Sequence, residues 1–164
     1  YAAVYQSELE DQIERGRLAP PTFLRMVRQL WQLRCNEHLL AHAVADVFWP
    51  NPEVCELIPR LSERHRLVLG SNTNPIHARR FLVQFANVFN YFDALILSHE
   101  VGTRKPDADF FACCQRAAGV SPAECVFVDD LPENIAGAKA FGFHGIVYRA
   151  NDGRPDRLRE LGVG

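Results

Sequence analysis

Cys125-Val126-Phe127-Val128-Asp129-Asp130-Leu131-Pro132-Glu133-Asn134 is the stretch that decides the fold. Its four opening apolar residues read as a strand buried on both faces, and the run stops at two adjacent carboxylates. In an open parallel sheet, ligands sit in the crevice beyond the carboxyl ends of the strands, so acids at such an end face a shared cleft. Side by side they repel each other, and full solvation or a bound cation relieves the repulsion. Oxygen donors of this kind suit Mg²⁺, which keeps several waters and takes one or two carboxylates from a protein. Asp also favours helix starts, so an acidic cap on the helix at Pro132 is the alternative for the same pair.

Three more strands stand around this one: Leu67-Val68-Leu69-Gly70-Ser71, Ala94-Leu95-Ile96-Leu97 and Gly145 to Tyr148. Helical patterns separate them. Asn51-Pro52-Glu53 starts a helix with the stripe Val54, Leu57, Ile58 and Leu61, although Pro59 should bend or shorten it. Asn74-Pro75 opens the next, with Ala78, Phe81, Leu82 and Phe85 on one face. A third begins near Asp107, buries Phe110, Cys114 and Ala117, and stops at Gly119. Ser121-Pro122-Ala123-Glu124 has capping-box spacing. Asn134 to Phe141 is helical and closed by Gly142, and Leu158 with Leu161 suggests a short terminal helix. Strands alternating with helices predict an α/β fold, a Rossmann-like parallel sheet with right-handed crossovers, over residues 51–164.

Residues 1–50 carry no strand signal and read as a small all-α unit. Leu9 and Ile13 share a face that Gly16 ends; Pro20-Pro21-Thr22 opens a helix with Leu24, Val27 and Trp31 aligned. A third run carries Leu39, Leu40, Ala43, Val44 and Val47, closed by Pro50. His38 and His42 have metal-ligand spacing but no third ligand nearby, which favours a solvated or capping role.

The composition excludes several classes. A net charge of −2 offers no basic excess for nucleic acid, and no apolar run reaches membrane-span length. Five cysteines, an odd number without C-x-x-C spacing, point to reduced thiols and a cytoplasmic setting rather than a disulfide framework. Most of them read as small core residues.

Polar groups follow three of the strands in turn: Ser71-Asn72-Thr73, then Arg104-Lys105-Pro106-Asp107, then Asp129-Asp130. A hydroxyl with nearby backbone N–H groups, an ammonium and a metal-binding acid pair together meet the needs of a phosphoryl group. Taken singly, Ser71-Asn72 is a turn with a cap, and Lys105 a solvated loop lysine.

In this order the motifs resemble the haloacid dehalogenase-like phosphohydrolases over nearly the whole chain. Leu67 to Asn74 is similar to that family's second motif, Arg104-Lys105-Pro106-Asp107 to its third, and Val126 to Asp130, with Asn134 beyond, to its fourth. Residues 1–50 resemble its all-α cap, and the branch most like this chain contains sugar-phosphate phosphatases and the amino-terminal domain of soluble epoxide hydrolases. The family's first motif, Asp-x-Asp-x-Thr on a central strand, has no counterpart before Ser7, and the sequence opens at Tyr1 in a helical pattern. The resemblance therefore implies an amino-terminally truncated fragment without the first central strand and without the nucleophile; a pseudoenzyme that has discarded the motif is the alternative.

It also implies roles. Ser71 and the Asn72 amide would hold phosphate oxygens, and Lys105 would offset charge on phosphate and nucleophile. Asp130 would bind Mg²⁺ with Asp129 as ligand or neighbour, and Asn134 would orient a metal-bound water. The implied activity is hydrolysis of a small phosphorylated metabolite such as a sugar phosphate. The alternatives are a silent phosphate-binding or interaction module and a 2-haloacid dehalogenase; the acid pair argues against the latter, which needs no metal. Arg25, Arg28, Trp31 and Trp49 are candidate substrate contacts, solvated arginines and buried tryptophans being the plainer expectation.

Overall fold

A computed structural model describes residues 7–149, so the terminal helix expected at Leu158 and Leu161 lies outside the described residues. Three helices come first: α1 (Glu8–Glu14), α2 (Pro20–Leu30) and α3 (Glu37–Ala45). The Ser7 hydroxyl caps α1 by accepting the Glu10 N–H, and Asn36 caps α3 through Leu39 N. Leu9, Ile13, Phe23, Leu24, Val27 and Leu40 bury one another, with Ile76 packed against them. The expected stripes fail at their ends: Leu39 is exposed, Trp31 lies past the end of α2, and α3 stops at Ala45, before Val47 and Pro50. Neither tryptophan is buried, Trp49 being 77% exposed.

Next come α4 (Pro52–Ser62), β1 (Val68–Ser71), α5 (Pro75–Gln84), α6 (Ala86–Phe89), β2 (Ala94–Leu97) and α7 (Ser98–Val101). After them lie α8 (Ala108–Ala118), a 3-10 turn at Pro122–Glu124, β3 (Val126–Asp129), α9 (Pro132–Phe141) and β4 (His144–Val147). Asn51 and Asn74 cap α4 and α5 through their side-chain oxygens, Ser121 and Glu124 form the expected capping box, and Gly119 and Gly142 end α8 and α9 at positive φ. α4 runs through Pro59 to Ser62, and its apolar stripe is only half-buried. Pro59 removes one N–H without ending the helix.

The strands form two parallel pairs rather than one continuous sheet. β1 pairs with β2 in the register Ser71↔Leu97, and β3 with β4 in the register Asp129↔Val147. One core joins the two pairs: Phe110, Phe111 and Cys114 of α8, Ala138 of α9 and Phe143 pack with Val68, Ile96 and Phe127. The opposite face of β1 and β2 presents Leu69 and Leu95 to Ala78, Phe81 and Phe85 of the α5 layer. β3 departs from the expectation of burial on both faces. Phe127 points into the shared core, while Val128, on the other face, is 46% exposed and has no helix over it among the described residues.

Phe111 has no exposed surface and makes ring contacts with Phe110, Phe127, Phe141 and Phe143. Phe111→Ala should therefore lower unfolding free energy by about 3–5 kcal/mol in urea titrations. A loss below about 1 kcal/mol would show that the two strand pairs do not share this core.

Candidate active site

Ser71 and Asp129 are the last residues of β1 and β3, which carries the ends of the two strand pairs to one side of the molecule. Lys105 connects them. Its Nζ donates to the Gly70 carbonyl at 2.9 Å, one residue before Ser71, and to Asp129 Oδ2 at 2.7 Å. It also sits 5.6 Å from the centre of the Phe127 ring, whose face favours a cation. Both partners of the ion pair are nearly buried, with side chains 10% and 7% exposed. Lys105 thus links the end of β1, next to Ser71, to Asp129 at the end of β3.

Asp129 is the more heavily bonded acid. Its Oδ1 accepts the Leu131 N–H and the Asn134 amide, each at 2.9 Å, while Oδ2 takes the lysine. Asn134 is buried, and Asp130 beside it is exposed. Neither acid caps α9: its N-cap is Leu131, which contributes no side-chain bond. Two hard carboxylates at a strand end fit an ion that binds few protein ligands, such as Mg²⁺. No group of three or more His, Cys, Asp or Glu side chains able to hold a metal occurs among the described residues, so His38 and His42 gain no partner of that kind.

The lysine loop is fixed to its surroundings at several points. The Asn72 carboxamide grips the Lys105 backbone from both sides, accepting its N–H at 2.8 Å and donating to its carbonyl at 3.0 Å. A Cβ on Gly137 of α9 would lie 2.7 Å from the Pro106 carbonyl oxygen, so only glycine allows this approach of helix and loop. From α1, Arg15 pairs with Asp107, and Arg104 lies 3.5 Å from Asp11 and 3.1 Å from Glu14. The Arg15 guanidinium holds the Asp107 carboxyl below its usual range.

Sequence reading missed three supports. Ser98, buried at the end of β2, accepts the Thr73 N–H and donates to the Thr73 carbonyl, bracing the turn after Ser71. The Asn72 clamp and the α1 carboxylates join residues far apart in the chain, and no local pattern announces them. The nearest signal was Ser98 itself, a polar residue directly after an apolar strand. Burial pushes the Cys114 thiol up to about 12, which keeps it from acting as a thiolate, and it lowers His77 from its ordinary value, which keeps that ring neutral.

Comparison with known proteins bears on the family and the fold. The family model described as haloacid dehalogenase-like hydrolase matches residues 6–142, and the chain belongs to that family. It is 31% identical over 108 residues to a phosphatase of Mycobacterium tuberculosis, covering 63% of this chain and 50% of that protein. It is 27% identical over 149 residues to the D-ribitol-5-phosphate phosphatase of Bacteroides thetaiotaomicron, covering 85% and 70%. A crystal structure of a haloacid dehalogenase family enzyme from Bacteroides thetaiotaomicron, in complex with magnesium and inorganic phosphate, superposes with a TM-score of 0.83. At 24% identity, over 95% of this chain and 80% of that one, the likeness speaks for the fold. The match to the first of these relatives spans half of that protein's length.

Asn72→Ala leaves the Lys105 N–H and carbonyl without partners in a partly buried setting, at a cost of about 1–3 kcal/mol. Hydrogen exchange at the Lys105 amide should accelerate while exchange in β4 stays unchanged. Equal exchange in both proteins would show that the carboxamide does not hold the loop.

Proposed function

We propose that this chain is the phosphate-handling part of a Mg²⁺-dependent phosphoric monoester hydrolase acting on a small phosphorylated metabolite such as a sugar phosphate. The observation that carries the reading is the placement of the Lys105 ammonium between the Ser71 end of β1 and Asp129. Membership of the haloacid dehalogenase-like hydrolases and likeness to a D-ribitol-5-phosphate phosphatase support it.

In this reading the Ser71 hydroxyl and the Asn72 main-chain N–H hold phosphoryl oxygens. Lys105, whose side chain is nearly buried, offsets charge on them, and a fixed cation shielded from water acts strongly. Asp130, with Asp129 beside it, would hold Mg²⁺, which when bound supplies positive charge against the phosphoryl oxygens. Asn134, hydrogen-bonded to Asp129, keeps that carboxylate oriented. The attacking carboxylate and its acid/base partner come from an Asp-x-Asp-x-Thr segment, a pattern that residues 1–164 do not contain. Residues 1–50 act as the helical cap over an α/β core at 51–164, and the unpaired thiols suit a reducing cytoplasm. Among the described residues no helix is long and apolar enough to cross a membrane.

Two assays test the reading. Incubated with p-nitrophenyl phosphate and Mg²⁺, the 164-residue chain should release no p-nitrophenol above background, and turnover abolished by Asp130→Ala would overturn the assignment of the nucleophile to another segment. With Mg²⁺ present, inorganic phosphate should bind the chain, and Lys105→Ala should weaken that binding by about 10- to 100-fold, the value of a charged hydrogen bond. Absence of phosphate binding in the wild-type chain would overturn the site assignment itself.

A further inference from the structure

α1 reaches the catalytic loop with charge rather than with apolar surface. Its polar side and C-terminal end carry Asp11, Glu14 and Arg15, and all three engage residues 104–107. That end is pressed against α7, since a Cβ on Gly16, at φ +67, would collide with the His99 carbonyl oxygen. Arg104, whose side chain is 22% exposed, therefore lies between two carboxylates of a firmly seated helix. The next residue is Lys105, whose backbone is held on its other side by Asn72.

We propose that Arg104 is a positioning residue for Lys105, and that the Asp11 and Glu14 carboxylates grip it so that the placement of α1 sets where the lysine ammonium lies. The inference rests on the phosphatase reading for its catalytic meaning, but the coupling itself is a statement about α1, Arg104 and Lys105 alone.

Glu14 makes this coupling sensitive to protons. Its Oε2 approaches Arg104 Nη2 to 3.1 Å but is not aligned to accept a hydrogen bond there, and it has no other hydrogen-bond partner among the described residues. Burial, the largest influence, raises the Glu14 carboxyl to about 7, with Arg104 and Lys105 opposing and Glu10 and Asp11 adding to the rise. Below that pH Glu14 is neutral and Asp11 alone attracts Arg104; above it the second carboxylate ionises and the grip tightens. The effect on stability runs the other way. A buried acid with a raised pKa contributes stability in full below its unfolded value near 4.5 and loses it as pH rises through about 7. His99, on α7 beside Gly16, is a further titratable residue on an element packed against α1, and α2, packed there too, carries Arg25 and Arg28.

The chain contains two lysines, Lys105 and Lys139, which gives a direct readout. In the full chain labelled with ¹³Cε-lysine, the Lys105 resonance should inflect near pH 7 while Lys139 does not, and Glu14→Gln, which keeps the side chain's size, should remove that inflection. His99→Gln should leave it in place. Asp11→Asn combined with Glu14→Gln should weaken inorganic phosphate binding at about pH 8 in Mg²⁺ by about five-fold. That sign is the test, because removing two negative charges near an anion site would strengthen binding by simple attraction, and only a displaced Lys105 weakens it. Arg104→Lys should keep part of the wild-type affinity and Arg104→Gln should not. A flat Lys105 titration in the wild-type chain, or tighter phosphate binding by the double variant, overturns the proposal. If no protein binds phosphate while Lys105 still follows Glu14 and Arg104→Gln abolishes that dependence, the coupling is upheld and the phosphatase reading falls.

Discussion

A single buried ammonium organises this molecule. Taking Lys105 and Asp129 out of water costs several kcal/mol per ion, and their attraction offsets this only where every remaining donor and acceptor is satisfied. Here most of it is met: Gly70 and Asp129 take two of the three ammonium donors, the third lying on the side of the Phe127 ring, and Leu131 and Asn134 join the lysine on the carboxylate. Such a pair adds little net stability compared with an apolar replacement. Its consequence is geometric. β1 and β3 share no ladder among the described residues, so the lysine fixes the end of one strand pair against the end of the other.

The apolar core makes that alignment possible. α8 and α9 lay Phe110, Phe111 and Ala138 across both strand pairs, and edge-on aromatic contacts favour one mutual arrangement of the rings. Gly70 belongs to the same packing, because a Cβ there would lie 3.2 Å from both Cys114 Sγ and the Phe110 ring. A side chain at that position would require Phe110 and Cys114 to give by a few tenths of an ångström, beside the carbonyl that meets the lysine. Core packing and site geometry are thus enforced by the same residue.

Much of this was legible in the sequence, and the failures have a common cause. Capping residues act within four positions of their targets, so Asn51, Asn74 and the Ser121–Glu124 box could be read directly and stand where expected. The α/β alternation was legible for the same reason, each element carrying its own period. The four-residue helices α6 and α7 were not, being too short to complete a pattern. Val128 was misjudged because an apolar run records what a strand can bury and not whether a helix covers it. At the site, residue types announced the chemistry, while the clamps that fix it, Asn72 on Lys105 and α1 on Arg104, join residues 33 or more positions apart.

Charge balance bears on what such a site accepts. Three cations, Arg15, Arg104 and Lys105, stand against Asp11, Glu14, Asp107 and Asp129, with Glu10 also close to Glu14, so the local count is negative even with Glu14 protonated and more so once it ionises. Exposed Asp130 makes it more negative still. A phosphoryl dianion entering this environment finds its one nearby ammonium already matched by a carboxylate. On the proposed reading, lysine alone is therefore insufficient, and a further positive charge close to the acid pair is what lets the anion stay. On that reading a divalent cation would meet the need, and the two acids would have different tasks. Asp129, which already takes three donors, would chiefly hold the lysine in place, whereas exposed Asp130 would be the freer of the two to meet a hydrated ion.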